Sequence, residues 1–389
     1  MSGAPCPAYR RPDLDRTEGT MDTEYVETVI VGGGQAGLAT GYFLQREGVP
    51  FVILDAEERI GDVWRHRWDS LRLFTYGRYA GLPGMRFPAP AWSFPSKDDM
   101  ANYLETYART FAFDIRSGVR VESLSREGDR FSLMTSDRRY EADNVVVATG
   151  SHRIPKVPPF AGDLDPSIVQ LHSSEYRRPS QLRDGGVLLV GAGNSGADIA
   201  MDVVRAHPTW LAGRDPGEIP VRIEGFRGKV AFPVVRFLFH HVITRGTPIG
   251  RRKGPKMILT GDPRVRVKAK DLEAAGVERA PRVAGVRDGR PVLEDDRILD
   301  VTNVIWCTGF RHDFPWIDLP VFDEQGDPLH DRGVVESAPG LYFIGLVFQY
   351  SLSSCVLPGI GRDHAYVADH LAARRRRERH APAAAPAAA

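Results

Sequence analysis

The sequence predicts an α/β fold with two Rossmann-like dinucleotide-binding domains, each a three-layer unit of the ββα or αβα kind, because two glycine-rich segments recur along it. They are Gly32-Gly33-Gly34-Gln35-Ala36-Gly37 and Gly191-Ala192-Gly193-Asn194-Ser195-Gly196. Each follows an apolar run and precedes a helical pattern, the strand, turn and helix order of a dinucleotide-binding unit. Because such a turn lets backbone N–H groups and a helix N-terminus approach a pyrophosphate, we expect two dinucleotides and electron transfer between them.

The first unit has every part of a dinucleotide-binding βαβ segment. Residues 27–31 are a predicted strand, 38–47 a helix and 51–54 a second strand that ends in Asp55. An acid about 20 positions after the first glycine is placed to bind the ribose hydroxyls. A turn without a ligand is the alternative, but the strand, helix and terminal acid together favour a site. The predicted cofactor contacts are Gly32, Gly34, Gln35, Ala36, Gly37 and Asp55.

The second unit has a cation where the first has an acid. Residues 187–190 and 209–212 are predicted strands around a helix at 197–205, and Gly213-Arg214 follows. An acid there favours the 2′-hydroxyl of NAD, whereas a cation favours the 2′-phosphate of NADP. We therefore expect NADPH, bound by Arg214 with Arg222 or Arg227 as helpers; a solvated surface Arg214 is the alternative. The other predicted contacts are Gly191, Gly193, Asn194, Ser195 and Gly196.

Charge and cysteine content narrow the class of protein. The formal net charge of the 389 residues is +1, so no overall field favours nucleic acid or an anionic membrane as partner. Cys6, Cys307 and Cys355 form no CxxC or His/Cys pattern, so neither a disulfide framework nor a metal site is predicted. The lack of a redox-active cysteine pair disfavours a disulfide reductase and makes oxygen the expected electron acceptor.

One apolar stretch and the N-terminal segment bear on location. No segment is long and apolar enough to cross a bilayer, and residues 1–20 lack the apolar core of a signal peptide. We therefore expect no integral membrane association and a cytoplasmic location. The stretch 230–244 is the most hydrophobic part of the chain and has three interpretations: a cover over a substrate tunnel, a membrane-surface helix, or, favoured here, a buried helix beginning after Pro233.

Several further segments recur as a set with the glycine motifs: 31–43, 61–73, 171–177 and 340–345. Together with the second glycine motif, they resemble the flavin-containing monooxygenase family. The resemblance runs from about Glu27 to Leu371, in particular to the bacterial branch labelled as cation-efflux-associated flavoproteins and to the plant YUCCA-type indole-pyruvate monooxygenases.

The resemblance implies an enzyme that binds FAD at the first motif and NADPH at the second. Hydride passes from NADPH to FAD, and the reduced flavin adds oxygen at C4a to give a (hydro)peroxide that oxygenates a small organic substrate. Oxygenation of nitrogen or sulfur, Baeyer–Villiger oxidation and attack on an α-keto acid are all compatible. The implied partners are molecular oxygen and the small molecule, and a homodimer is left open.

The same residues are compatible with two alternative functions. One is an NAD(P)H oxidase or reductase whose peroxide is released without oxygenating a substrate. The other is a redox accessory protein of a cation-efflux system, suggested by the label on the bacterial branch, although the sequence shows no clustered metal ligands.

The domain layout follows from two apolar strands that end in small residues. Residues 145–150 and 304–309 resemble the ATG-type motifs at which such flavoproteins cross between nucleotide domains, which makes Gly150 and Gly309 predicted contacts. We expect a flavin domain split into 24–155 and 300–374, a linker at 156–179 and an inserted NADPH domain at 180–299. Residues 1–23 and 375–389 are predicted to be a disordered leader and tail.

The remaining site residues are implied by the resemblance. Trp64 and Arg67 would contact the flavin, with core packing and surface charge as the alternative, while Gly345, Gln349 and Gly361 would form the closing half of its site. Thr75 takes the place of an asparagine near the flavin and is the candidate for binding the peroxide or a water.

The linker departs from the family pattern FxGxxxHxxxY followed by a basic residue. The histidine, tyrosine and basic positions match His172, Tyr176 and Arg177, but Pro166 and Ile168 replace the phenylalanine and the glycine. In the family this segment couples nicotinamide binding to flavin chemistry, so the departure bears on oxygenation rather than on cofactor binding. For His172 we expect a hydrogen bond within the linker at least as much as a direct catalytic role.

Overall fold

The computed structural model describes residues 22–150, 154–252, 254, 263–311 and 314–380. The described strands are β1 (Thr23–Val31), β2 (Val52–Leu54), β3 (Ile115–Arg116), β4 (Ser123–Glu127), β5 (Arg130–Met134), β6 (Arg139–Val147), β7 (Ile154–Pro155), β8 (Val169–His172), β9 (Val187–Val190), β10 (Thr209–Ala212), β11 (Glu278–Ala280), β12 (Val283–Arg287), β13 (Arg290–Leu293), β14 (Asn303–Trp306), β15 (Phe310–Arg311) and β16 (Leu341–Phe343). The described α-helices are α1 (Gln35–Arg46), α2 (Asp62–Arg65), α3 (Lys97–Thr110), α4 (Asn194–Val203), α5 (Phe226–Phe237), α6 (Ala269–Ala274) and α7 (Arg362–His380).

The first sheet has the order β3-β2-β1-β6-β5-β4, and β16 pairs with β6. Its parallel register places Val31 beside both Leu54 and Val147, so β1, β2 and β6 end at one edge of the sheet. The central strands are apolar on both faces because α1, α3 and α7 cover one face while the 314–322 segment packs on the other. The predicted parallel α/β fold of the first unit is confirmed, and ligands of such sheets bind beyond this edge.

The second sheet is parallel throughout, with the order β11-β10-β9-β14-β8. Val190 lies beside Ala212 and Trp306, and Trp306 lies beside His172. Two of its strands lie outside the range predicted for the NADPH domain: β14 lies within the range assigned to the flavin domain, and β8 within the predicted linker. Both strands are short apolar runs, and only their pairing shows which sheet they join.

The C-terminal helix α7 continues past the predicted start of a disordered tail at 375. Arg375 forms an ion pair with Glu27 of β1 and donates to the carbonyl oxygen of Gly48 at 2.8 Å. Arg374 donates to the side-chain oxygen of Asn144 at 3.1 Å. The arginines therefore fasten the last turns of α7 to the first unit, and only 381–389 of the predicted tail, with 1–21 of the leader, lie outside the described residues.

Helix α5 differs from the buried helix favoured by the sequence. It begins at Phe226, seven residues before Pro233, and Gly228 is its one buried residue. The exposed fractions of Phe226, Val230 and Val234 are 81%, 58% and 57%. The prediction of a buried helix is therefore wrong, because apolar composition does not reveal whether neighbouring elements cover a face. No helix in the described part of the chain has the length and apolarity to cross a membrane.

Candidate active site

The first glycine motif forms a tight turn between β1 and α1 that leaves one glycine facing open space. Gly32 has φ +111°, and a Cβ there would lie 2.7 Å from the carbonyl oxygen of Ala148. A Cβ on Gly37 would overlap the Gly32 carbonyl oxygen, whereas one on Gly34 would meet no atom within 4 Å. Gly34 is also the N-cap of α1 and offers no side-chain cap. The N–H groups of the first turn therefore face a space that an anion can enter.

Asp55 lies beside this turn, as the sequence predicted. It follows β2 directly, and a Cβ on Gly33 would lie 2.7 Å from its carboxylate. Burial raises the pKa of the Asp55 carboxyl, which the backbone N–H of Glu57 approaches at 3.5 Å. Hydroxyl donors would stabilise the ionised form, and a nucleotide ribose supplies such donors.

The second motif repeats this geometry between β9 and α4. Gly191 has φ +112°, and a Cβ there would overlap the Cys307 carbonyl oxygen. A Cβ on Gly196 would overlap the Gly191 carbonyl oxygen, but one on Gly193 would meet no atom within 4 Å. Gly193 is the uncapped N-cap of α4. The two motifs therefore present equivalent open helix N-termini at the edges of two sheets.

The side chain of Asn194 bonds to the protein backbone rather than facing this opening. Its side chain accepts from the N–H of Val265 at 2.8 Å and donates to the carbonyl oxygen of Pro263 at 3.2 Å. These bonds hold the segment that carries Arg264, whose side chain is 2% exposed and donates to the Ala192 carbonyl oxygen at 3.4 Å. Ser195 follows within the first turn and is half-buried. We assign Asn194 a positioning role; the buried Arg264 beside it was not predicted.

Arginines surround the end of β10, where the NADPH contact is predicted. Arg214 follows Gly213 and lines a shallow depression of about 280 Å³ together with Arg282 and Glu294. Arg279 donates to the carbonyl oxygens of Leu211 and Gly213 at 2.8 and 3.0 Å, and burial lowers its pKa. This concentration of positive charge suits a phosphate.

The other charged residues near the end of β10 are already engaged. Asp215 is 3.0 Å from the guanidinium of Arg264, which offsets its negative charge next to Arg214. The predicted helper Arg222 pairs with Asp271 at 2.7 Å. The second predicted helper, Arg227, lies on the exposed helix α5.

The segment 61–73 connects the first glycine motif to the second unit. The indole N–H of Trp64 donates to the Gln35 side chain at 3.3 Å, and the Trp64 ring packs against the cores of both units. Arg67 is half-buried, and burial and the charge of Arg177 lower its pKa. In the described part of the chain no carboxylate lies within 4.0 Å of the Arg67 guanidinium, whose central carbon is 5.8 Å from the Phe310 ring. A half-buried cation that has no carboxylate partner among the described residues fits an anionic ligand.

His172 is a linker residue with both ring nitrogens occupied. Its side chain is 3% exposed; the Nδ1 atom accepts from the backbone N–H of Ser174 at 3.2 Å, which assigns the proton to Nε2, 3.0 Å from the Gly309 carbonyl oxygen. Burial lowers the pKa of His172. The neighbouring Tyr176 donates to Asp202 of α4 at 2.9 Å. These contacts bear out the linker hydrogen bond expected for His172.

The segment after β16 meets the first motif. A Cβ on Gly345, where φ is +81°, would lie 3.1 Å from the Cβ of Ala36, and Gly361, with φ +135°, directly precedes α7. The Gln349 side chain is fully buried and bonds to the backbone of Leu346, Arg332 and Phe343 at 3.0–3.3 Å. Gln349 thus stabilises the backbone of this loop instead of presenting its amide to a ligand.

Two predicted glycines have open space where a side chain would be, and the predicted Thr75 is buried. Gly150 and Gly309 have φ +74° and +81°, and a Cβ on either would meet no atom within 4 Å. Thr75 is 3% exposed, and its hydroxyl has no hydrogen bond with the described residues. The adjoining Tyr76 donates to the carbonyl oxygen of Ile223, which ties this segment to the second unit.

Two features bear on metal and thiol chemistry. Glu57, Asp62 and His66 place their ligand atoms within 4.8 Å of one another, a grouping that the sequence did not reveal. The Asp62 carboxylate already pairs with Arg65 at 2.8 Å. Burial raises the pKa of the Cys307 thiol to about 12, which favours the neutral thiol at neutral pH; Cys6 lies outside the described residues.

The comparisons with known proteins agree with this arrangement. Residues 29–212 match the family described as pyridine nucleotide-disulphide oxidoreductase. The CzcO-like oxidoreductase of Geobacillus kaustophilus is 39% identical over 349 residues, which are 89% of this chain and 98% of that protein. The probable indole-3-pyruvate monooxygenase YUCCA3 of Arabidopsis thaliana is 28% identical over 82% of this chain and 81% of its own.

A solved structure extends the likeness to three dimensions. The flavin-containing monooxygenase of Stenotrophomonas maltophilia superimposes with a TM-score of 0.74 at 27% identity and covers 90% of this chain and 99% of its own. The fold and the paired glycine turns define a flavoprotein oxidoreductase with two dinucleotide-binding units. Within that class, the chain belongs to the flavin monooxygenase-like family and groups with its CzcO-like oxidoreductases.

Proposed function

We propose that this protein is an NADPH-dependent FAD monooxygenase that oxygenates a small organic substrate. The observation that carries the proposal is the pair of uncapped helix N-termini behind Gly34 and Gly193, each facing open space at the end of a parallel sheet. Two pyrophosphate sites in one chain suit a flavin and a nicotinamide. The family membership supports the same pair of cofactors.

In this proposal FAD occupies the first unit. Asp55 would bind the ribose, and the N–H groups of the first turn of α1 would bind the pyrophosphate. Arg67, which has no carboxylate partner among the described residues, would supply a positive charge. Bound flavin supplies hydride acceptance and the activation of oxygen. The chain itself would bind and orient the cofactor and exclude water, and Thr75 is buried.

NADPH would occupy the second unit with its 2′-phosphate near Arg214. Replacing Arg214 by alanine should raise the KM for NADPH at least tenfold and leave the KM for NADH nearly unchanged, because the 2′-phosphate is the group that NADH lacks. Arg222→Ala is the matched control, since Arg222 is exposed and paired with Asp271. An unchanged ratio of the two KM values would reject the assignment of Arg214.

The proposed oxygenation is tested by measuring how the electrons of NADPH divide between oxygenated product and hydrogen peroxide. We expect a substrate screen over amines, sulfides, ketones and α-keto acids to find a compound that raises product formation and lowers hydrogen peroxide release per NADPH consumed. Thr75→Val keeps the shape of the side chain but removes the hydroxyl, and it should increase peroxide release several-fold at unchanged flavin content.

An NAD(P)H oxidase is the second candidate because of the linker. Ile168 stands where the family has a glycine, and it is buried in the core of the second unit, where its side chain fills space. Stoichiometric peroxide release with every compound of the screen would favour the oxidase over the monooxygenase.

A further inference from the structure

Helix α5 carries an apolar face that the rest of the described chain leaves uncovered. Phe226, Val230, Val234 and Phe237 are 81%, 58%, 57% and 55% exposed. At about 100° per residue, these four positions lie within an arc of about 80° on one side of the helix. Four large apolar side chains aligned in this way form a continuous stripe, unlike the scattered exposed apolar residues of an ordinary surface.

Contacts on the opposite side fix the direction of this stripe. The Phe232 ring stacks on the Tyr79 ring with centroids 5.3 Å apart, and the Arg236 guanidinium lies 5.5 Å from the same ring. The Lys229 ammonium lies 5.9 Å from the ring of Trp92. Helix α5 is therefore packed on the segment 76–94 of the first unit, and its apolar stripe faces away from the protein.

The chain from the first residue of the stripe onward is strongly basic, whereas the exposed Glu224 lies two residues before it. The sequence from 226 to 261 contains eight Lys or Arg residues and no Asp or Glu, although the whole chain has 51 basic and 50 acidic residues. The described basic residues of this stretch that are exposed are Arg227, Arg245, Arg251 and Arg252. A basic helix with an exposed apolar face is typical of a segment that lies on a membrane surface.

We propose that the face formed by Phe226, Val230, Val234 and Phe237 docks the protein on a bilayer surface that contains anionic lipid. The apolar side chains enter the boundary between headgroups and acyl chains, and Arg227, which lies beside the stripe on the same helix, pairs with lipid phosphates. A second copy of the same face would bring two basic surfaces together, so charge favours the lipid over self-association.

Flotation of the full-length, flavin-loaded protein with vesicles tests the proposal. We expect the protein to float with equimolar phosphatidylglycerol and phosphatidylcholine but not with phosphatidylcholine alone, and to bind less at raised ionic strength. Val230→Asp should weaken partitioning by about tenfold or more, since it places a charge in the stripe. Leu329→Asp is the matched control, because Leu329 is 51% exposed elsewhere in the fold, and it should bind like the wild type.

A second measurement places the contact on the helix. In Phe226→Trp, the added indole fluorescence should shift to shorter wavelength with anionic vesicles, while that of Leu329→Trp should not. The proposal is overturned if the wild type fails to float, if both lipid compositions bind it equally, or if Val230→Asp and Leu329→Asp bind alike. Light scattering that shows a dimer dissociated by Val230→Asp would overturn it in favour of a second copy of the chain.

Discussion

Substitutions at Gly193 and Gly196 should affect nucleotide binding and folding separately, although both glycines belong to one motif. Gly193 has φ −75° and ψ −165°, an extended conformation that alanine adopts without strain, and its Cβ would meet no protein atom within 4 Å. Gly193→Ala should therefore leave the free energy of unfolding unchanged or raise it by about 0.4–1 kcal/mol. The methyl group would occupy the space through which a pyrophosphate approaches, so nicotinamide nucleotide affinity should fall at least about tenfold, or 1.4 kcal/mol.

Gly196→Ala is the contrasting variant, because its Cβ would overlap the Gly191 carbonyl oxygen. We expect it to lower the free energy of unfolding by about 1–3 kcal/mol or more. Urea denaturation measures stability, titration with NADPH and NADH measures affinity, and flavin content reports on the other unit. The reasoning is refuted if Gly193→Ala binds both nucleotides like the wild type, or if it is as unstable as Gly196→Ala.

Three further predictions concern the first unit and the linker. Arg67→Met should lower flavin content after purification, because it removes a half-buried cation suited to a phosphate, and retention of full flavin would contradict the role of Arg67. His364 is fully buried, and burial lowers its pKa to about 3. The fold therefore favours the neutral imidazole, so this contribution to the free energy of unfolding is present above about pH 6.5 and is lost as the pH falls toward 3. At pH 5 this loss is about 2 kcal/mol, and His364→Leu should flatten the unfolding free energy between pH 8 and 5; an unchanged slope would show that other groups cause it. Tyr176→Phe removes the hydrogen bond to Asp202 at 2.9 Å and should cost about 1–3 kcal/mol in urea unfolding, with no loss expected if water replaces the phenol.

The local elements were predictable because their signals are local. The strands at 187–190 and 209–212 match β9 and β10 residue for residue, and the helix after each glycine motif begins within three residues of its predicted start. A glycine with positive φ and a close backbone neighbour is required for such a turn, so the residue type reveals the geometry. Trp64 and Gln35, each predicted to contact the flavin, are joined by a hydrogen bond of 3.3 Å that was not itself predicted.

Features set by distant contacts were missed. The burial of Arg264 beside Ala192 depends on Asn194 holding a segment about 70 positions away, and the sequence carries no signal for such a pairing. Gln349 was assigned to the cofactor, but its amide serves three backbone groups. The apolar stretch 230–244 illustrates the same limit, because hydrophobicity is a property of residues whereas burial is a property of their neighbours.

The two nucleotide-binding units and the positions of their turns were predictable from residue types within about 30 positions, where spacing along the chain fixes spacing in the fold. The family was predictable from several segments between residues 31 and 345 taken together. The tertiary structure decided which sheet β8 and β14 join, and that α7 is fastened by its arginines. It also decided which glycines are open to a ligand and which face of α5 is exposed. These outcomes depend on atoms brought together from separate parts of the chain, so only packing could determine them.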